Sequence, residues 1–427
     1  MLISHIINNF RNMNSSNWLY LTVLVLTLLH SLLASYFLLL EKFFPRQKRL
    51  LHALTEIEII FPLWAVILCC IIFFKEGTSS LIDYIESLHF TEALFIIAIM
   101  TVAGTQPILI VIENFLIGAV KKLPFKPAIT IFCITLTVLP LLGSFITEPA
   151  AMTVAVLLLK QTIFSKIHSE KLKYAILAIL LVNISIGGAL TPFAAPPILM
   201  VAEAWQWNLS FMFSHFALNI LFIVCLNTLV GLGLFFKEID QIKYSFSLTA
   251  RAVNPFIVLT HILFIVVIMV FSHSPLIFLG LLVLFIAFTQ FFSIHQTPLL
   301  LKESALVGLF LASLIVIESK QSGWLSPIIS SMKYYQVYVG SALITAVTDN
   351  AALTYLGTLL PNPPENFKLA LVKGAIAGGG LTLIANAPNP IAGKFLKPYF
   401  VHHRILAKEL FKSALVPTLI TLLGLMI

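Results

Sequence analysis

Apolar residues run along this chain in blocks near 20 residues long, and the polar residues gather between the blocks. A helix needs about that length to cross a hydrocarbon core roughly 30 Å thick. The pattern predicts ten spans, at about 18–40, 53–74, 92–118, 174–203, 215–236, 254–272, 276–293, 304–320, 366–400 and 410–427. Two further apolar stretches, 127–165 and 326–360, are too long for one crossing, and each is broken near its middle by a polar cluster. Each is expected to form two half-length arms around a tip, a re-entrant hairpin.

Composition gives the class. Hydrophobic residues make up 59% of the chain, charged residues 10%, and the mean hydropathy is +1.01, whereas a soluble domain carries roughly 25% charged residues. This excludes an ordinary soluble enzyme and predicts an integral, helical membrane protein, since helices satisfy their own backbone groups in lipid. Cys69, Cys70, Cys133 and Cys225 lie in apolar segments without metal-ligand spacing and read as small buried hydrophobes. The polar start "MLISHIINNFRNMNSSN" lacks a signal-peptide layout.

The net charge of +8 suggests basic inner loops rather than nucleic acid as a partner. With the loop 44–52 placed inside, the inner side holds Lys42, Arg46, Lys48 and Arg49, then Lys121, Lys122 and Lys126, then Lys166, Lys171 and Lys173. It also holds Lys237, Lys243, Arg251 and Lys302, and finally Lys394, Lys397, Arg404, Lys408 and Lys412. That is 19 of the 26 basic residues, a strong orientation signal. Only Arg11, Lys75, Lys320, Lys333 and Lys368 fall outside. The bias requires the first hairpin to open inward and the second outward, with both termini external.

The chain also repeats itself. "TEPAAMT" (147–153) matches "TDNAALT" (348–354) at an offset of 201, and "GGALTPFAAPP" (187–197) matches "GGGLTLIANAPN" (378–389) with one gap. Five crossings per half invert the second half. The predicted fold class is therefore an all-α polytopic membrane protein of two inverted-topology repeats, each with three spans, a re-entrant hairpin, a broken helix and a final span. Its parts are a polar tail (1–17), a first repeat (18–236; hairpin 127–165, broken helix 174–203), a cytoplasmic linker (237–253) and a second repeat (254–427; hairpin 326–360, broken helix 366–400). Such an architecture puts its site near the midplane, where the breaks meet.

The glycines, prolines and asparagines of the breaks cannot continue a helix, and unwound carbonyls at depth need protein or ions to satisfy them. Glu148 and Asp349 place an acid in each tip. Thr147 and Asp349 have a plainer reading as helix N-caps, and the glycine pairs as close-packing sites. Glu56, Glu58, Glu113, Glu203, Glu318 and His261 read mainly as interface groups, with a proton path as the alternative. Trp205 and Trp207 suggest an aromatic belt, and His402 and His403 a solvated loop.

Tips and breaks together resemble the ion transporter superfamily, in which arsenite pumps, divalent-anion symporters and NhaD-type sodium/proton antiporters share inverted repeats. "TDNAALTYLG" and "GGGLTLIANAPN" are most similar to the antiporter branch. The resemblance implies a site at Thr147, Glu148, Gly188, Thr191 and Pro196 in the first half. In the second half it implies Thr348, Asp349, Asn350, Thr382, Asn386 and Asn389, with Asp349, Asn350 and Thr382 as Na+ ligands. It also implies a homodimer with a moving core. The first tip departs from the family pattern by carrying Pro149 where relatives carry Asn.

Anion symporters of this fold have neutral tips. A fixed charge about 4 Å from an anionic substrate costs roughly 4 kcal/mol at an effective dielectric near 20, which favours a cation. A carboxylate out of water without a basic partner must be neutralised by a proton or a metal ion. The expectation is Na+ (or Li+) exchange for H+ at Asp349, aided by Glu148, with small cations as cargo, no cofactor, and a bacterial inner membrane as location. A coupled permease for a small anion is the alternative. An enzyme is disfavoured by the absence of H-E-x-x-H, G-x-S-x-G or a Walker motif.

Overall fold

Proline sets where many of the helices begin, because its missing N–H costs nothing in a first turn. The computed structural model describes residues 15–40, 44–242, 252–272, 274–295, 298–319, 321 and 332–427, and every regular element among them is helical. Most of the tail 1–17, most of the linker 237–253, residues 326–331 of the second apolar stretch, and Arg11, Lys42, Lys243, Arg251 and Lys320 lie outside the described residues.

The chain runs α1 (Ser15–Leu40), α2 (Lys48–Ala53), α3 (Ile57–Glu86), α4 (Thr91–Ala103), α5 (Gln106–Lys122), α6 (Pro127–Ile146), α7 (Glu148–Thr162), α8 (Glu170–Gly187) and α9 (Pro196–Ala202). It continues through α10 (Leu209–Asp240), which contains a π-turn at Phe213–Ala217, to α11 (Pro255–Val270), α12 (Pro275–Phe291) and α13 (Leu301–Glu318). The last elements are α14 (Tyr334–Thr345), α15 (Asn350–Thr358), α16 (Glu365–Gly378), α17 (Asn389–Leu396) and α18 (Ala407–Met426). Helices α5, α6, α7, α9, α11, α12 and α17 each carry proline at their first or second position.

Two expectations are corrected. The stretch 92–118 is not one straight span: α4 and α5 meet at Gly104 and Thr105 with a bend of 61°. Nor, among the described residues, do ten helices pass as long and apolar enough to cross. Among the described residues five are long and apolar enough, or six if the bent pair is one span. Helices α11 and α12 are apolar but only 16 and 17 residues long, whereas a typical crossing takes about 20.

Helix α8 is the hub. The apolar window of Glu170–Leu190 is 94% buried, so almost no face of it remains for lipid. It packs on α6, α10, α18 and α16. Helix α6 carries Pro140 in its interior, which removes the N–H that would bond the Leu136 carbonyl one turn back. The Asn183 amide donates to that carbonyl at 2.7 Å and the Thr228 hydroxyl at 3.1 Å, so α8 and α10 are tied to α6 where its own ladder is broken.

The pieces of the two broken helices interlock. Helix α8 packs on α6 and α16 packs on α14, each beside the first arm of the hairpin in its own half. The second pieces cross over: α9 packs on α15, and α17 packs on α7. Both tips are thereby pressed against both breaks.

Candidate functional site

Thr147 forms the tip between α6 and α7 with φ 77 and ψ 149, a conformation that branched side chains rarely adopt. Its hydroxyl makes no capping bond, which corrects the expectation of an N-cap. Glu148 opens α7 and is fully buried. Its backbone N–H donates to the Ala194 carbonyl in the first break at 3.4 Å. A Cβ on Gly188 would overlap the Glu148 carboxylate, so only glycine leaves the acid its place. Oε2 of Glu148 accepts from the Asn386 amide of the other half at 2.8 Å, and Oε1 has no partner.

The second tip is built differently. Asp349 has an ordinary extended backbone and does cap its helix, Oδ1 accepting from the Ala351 N–H at 2.7 Å. The backbone N–H groups of Ala352 and Ala387 also act on this carboxylate, yet Oδ2 is buried without a partner. Capping thus occupies one oxygen and leaves the other. The Asn350 N–H donates to the Ala385 carbonyl at 3.2 Å, the counterpart of the Glu148–Ala194 contact. The adjacent residues 385 and 386 therefore hold both tips, Ala385 by its backbone carbonyl and Asn386 by its side chain.

The other expected residues divide by where their polar atoms go. Thr191 and Thr382 turn their hydroxyls to the ends of the first arms, bonding the carbonyls of Ser144 at 2.6 Å and Ala346 at 2.9 Å. Asn389 donates to the unwound carbonyls of Gly379 and Thr382 at 2.7 and 2.8 Å, leaving Oδ1 unmatched. Pro196 starts α9 and brings no side-chain oxygen. The Thr348 hydroxyl donates to the Ile344 carbonyl of its own arm, and the residue is half-buried.

Three participants are absent from the expected set. Ser144 bonds the Gly187 carbonyl and receives the Leu190 N–H, pinning the first break. Ser185 approaches the Asn350 amide at 3.5 Å. Gly379 sits where a Cβ would strike both Ser185 and Asn350. The repeat itself carried the signal for Gly379, since it aligns with Gly188; the serines had none.

Of twelve buried side-chain polar atoms without a partner among the described residues, seven belong to the tips, their arms and the breaks: Oγ1 of Thr147 and Thr345, Oε1 of Glu148, Oδ2 of Asp349, and Oδ1 of Asn350, Asn386 and Asn389. All are oxygens. Native interiors rarely leave such groups unmatched. Among the described residues neither acid joins an ion pair, although the Asp349 charge acts on Glu148 and the Glu58 charge on Asp349. A set of unmatched oxygens with two acids among them can take up protons or a hard cation, which prefers oxygen ligands.

The more peripheral candidates settle elsewhere. His261 is buried with Nδ1 at 2.7 Å from the Ile257 carbonyl and its ring edge-on to Phe285 and Phe288, a core position. Trp207 is buried, stacked on Phe211 and bonded to Glu365, rather than facing lipid in a belt. Cys70 and Cys225 are exposed, not buried. The side chain of Glu318 lies outside the described residues. A cavity of about 540 Å³ reaches Pro192 and Phe193 of the first break from the side of Glu203 and Asn208.

Long apolar helices, two helix breaks and buried acids without cationic partners define a membrane transporter that handles cations. The chain belongs to the family described as Putative Na+/H+ antiporter, which matches residues 16–427. It is thus an integral membrane protein of a cation/proton antiport family, a transporter and not an enzyme. No curated protein matches the chain.

Proposed function

We propose that the protein exchanges Na+ or Li+ for H+ by alternating access, with the two ions competing for one oxygen-lined site around Asp349 and Glu148. The observation that carries this reading is the concentration of unmatched buried oxygens around two acids with no cationic partner. Asp349 supplies the principal carboxylate, Asn350 and Asn386 supply amide oxygens, and unwound carbonyls complete the shell. Glu148 is the second acid, held by Asn386 when charged. A carboxylate here is stable only when neutralised, so it accepts a proton or a cation in turn, and a competitive site that alternates between two sides is an exchanger. An anionic substrate beside these acids would meet a repulsion of roughly 4 kcal/mol at about 4 Å.

The paired motifs and the crossed packing of α9 on α15 and α17 on α7 support two inverted repeats, as in the ion transporter superfamily and its NhaD-type branch. In this reading the basic loops face the cytoplasm of a bacterial inner membrane, and the protein works as a homodimer.

Inside-out vesicles containing the protein, energised to an acid interior, test the proposal with a pH-sensitive dye. Addition of NaCl or LiCl should alkalinise the interior, choline chloride should not, and Asp349→Asn should abolish the response. No response to any cation from well-expressed wild type, with uptake of a labelled small anion instead, would make the protein an anion permease.

A further inference from the structure

A cavity of about 860 Å³ lies between α8, α10 and α18, and none of the tip residues lines it. It opens where α8 and α18 begin, and its floor is Asn227, tied to Asn183 at 2.9 Å and to Thr421 at 3.3 Å. At 1.5 Å per residue, these three side chains lie about 20 Å from the ends of their helices. The cavity is therefore about as deep as one leaflet, whose hydrocarbon layer is about 15 Å. Ala175 and Ser413 leave room in its walls by being small, and Pro417 lies on the α18 wall. Leu234 and Val416 line it while being 68% and 49% exposed, so it opens sideways to lipid as well as at the mouth.

The mouth carries surplus positive charge. Glu170 pairs with Lys173 at 2.8 Å and Glu409 with Lys412 at 3.0 Å. Lys171 and Arg404, both exposed and both lining the cavity, form no ion pair among the described residues. An apolar, leaflet-deep crevice under two unpaired cations matches one kind of molecule. We infer that it is a binding site for an anionic phospholipid, with the phosphate on Arg404 and Lys171 and an acyl chain running along Leu234, Val416 and Ile420 toward Asn227. Because the crevice is bounded by α8 and α18, a bound lipid would brace the hub helix against α18. The inference is independent of the ion proposed above.

Native mass spectrometry of the purified, delipidated full chain tests it by titration with phosphatidylglycerol or phosphatidylcholine of the same chains. Wild type should retain phosphatidylglycerol more tightly, on the order of tenfold, the worth of two surface cations. The double variant Arg404→Ala/Lys171→Ala should lose that preference while unfolding at the wild-type temperature. Val416→Trp, which fills the wall without altering charge, should weaken both lipids. Equal retention by wild type, or an unchanged preference in the double variant, would overturn the charge assignment. Unchanged binding in Val416→Trp, or displacement by excess inorganic phosphate, would overturn the chain's place in the crevice.

Discussion

Thr147 holds its positive φ with a branched side chain and an unmatched hydroxyl, at a cost of about 1–3 kcal/mol. Thr147→Gly removes both strains. It is expected to raise thermal stability by about 1 kcal/mol while lowering cation affinity, because the tip loses the constraint that aims Glu148. A thermal melt beside a transport assay separates the two effects, and a destabilised variant would show that the conformation is not strained. Asn386 and Thr348 make a sharper pair. Asn386→Ala removes a hydrogen bond to a carboxylate, worth about 1.5–3 kcal/mol, and should raise the half-saturating cation concentration at least tenfold. Thr348→Val, whose hydroxyl serves only its own arm, should change it by less than about twofold by the surface-substitution rule. Equal effects of the two variants would remove Asn386 from the site.

At the scale of elements, the interior proline of α6 and the asparagine of α8 are halves of one device. Asn183→Ala leaves the Leu136 carbonyl with the Thr228 hydroxyl alone, and should cost about 1–2 kcal/mol. In a Pro140→Ala background the helix regains its own N–H, so the same change should cost less, with a coupling of about 0.5–1 kcal/mol. Unfolding of the four variants in detergent measures the cycle, and additivity would mean that the amide is not there to serve the proline. The tips show why elements of similar sequence need not behave alike. Pro149 stands where Asn350 stands in the second tip, so the first tip has no amide oxygen, and its acid takes its partner from the opposite break.

For the whole molecule, the proposed competition between proton and cation fixes the sign of the pH dependence. Raising pH empties the carboxylates of protons, so the half-saturating Na+ concentration should fall as pH rises. The fall should approach tenfold per pH unit for each proton displaced, and flatten once no proton competes. Half-saturation measured in vesicles from neutral to alkaline pH checks this. A pH-independent value with changing maximal rate would place proton control outside the ion site.

Sequence alone determined the helical membrane class, the two hairpin tips, the two breaks and the two acids. Each of these is local: hydrophobic run length, helix-breaking residues, and charges whose burial in an apolar run is costly wherever they end up. Tertiary structure decided what those residues touch. The pairing of Asn386 with Glu148 spans 238 positions and depends on the crossed packing of α17 on α7, which no local pattern encodes. The bond of Thr348 to its own arm, the burial of Trp207 and the pinning role of Ser144 follow from side-chain direction on packed helices. Composition and periodicity say which groups are expensive to bury; only the packed chain decides which of them are left in want of a partner, and that is where the ion site is proposed.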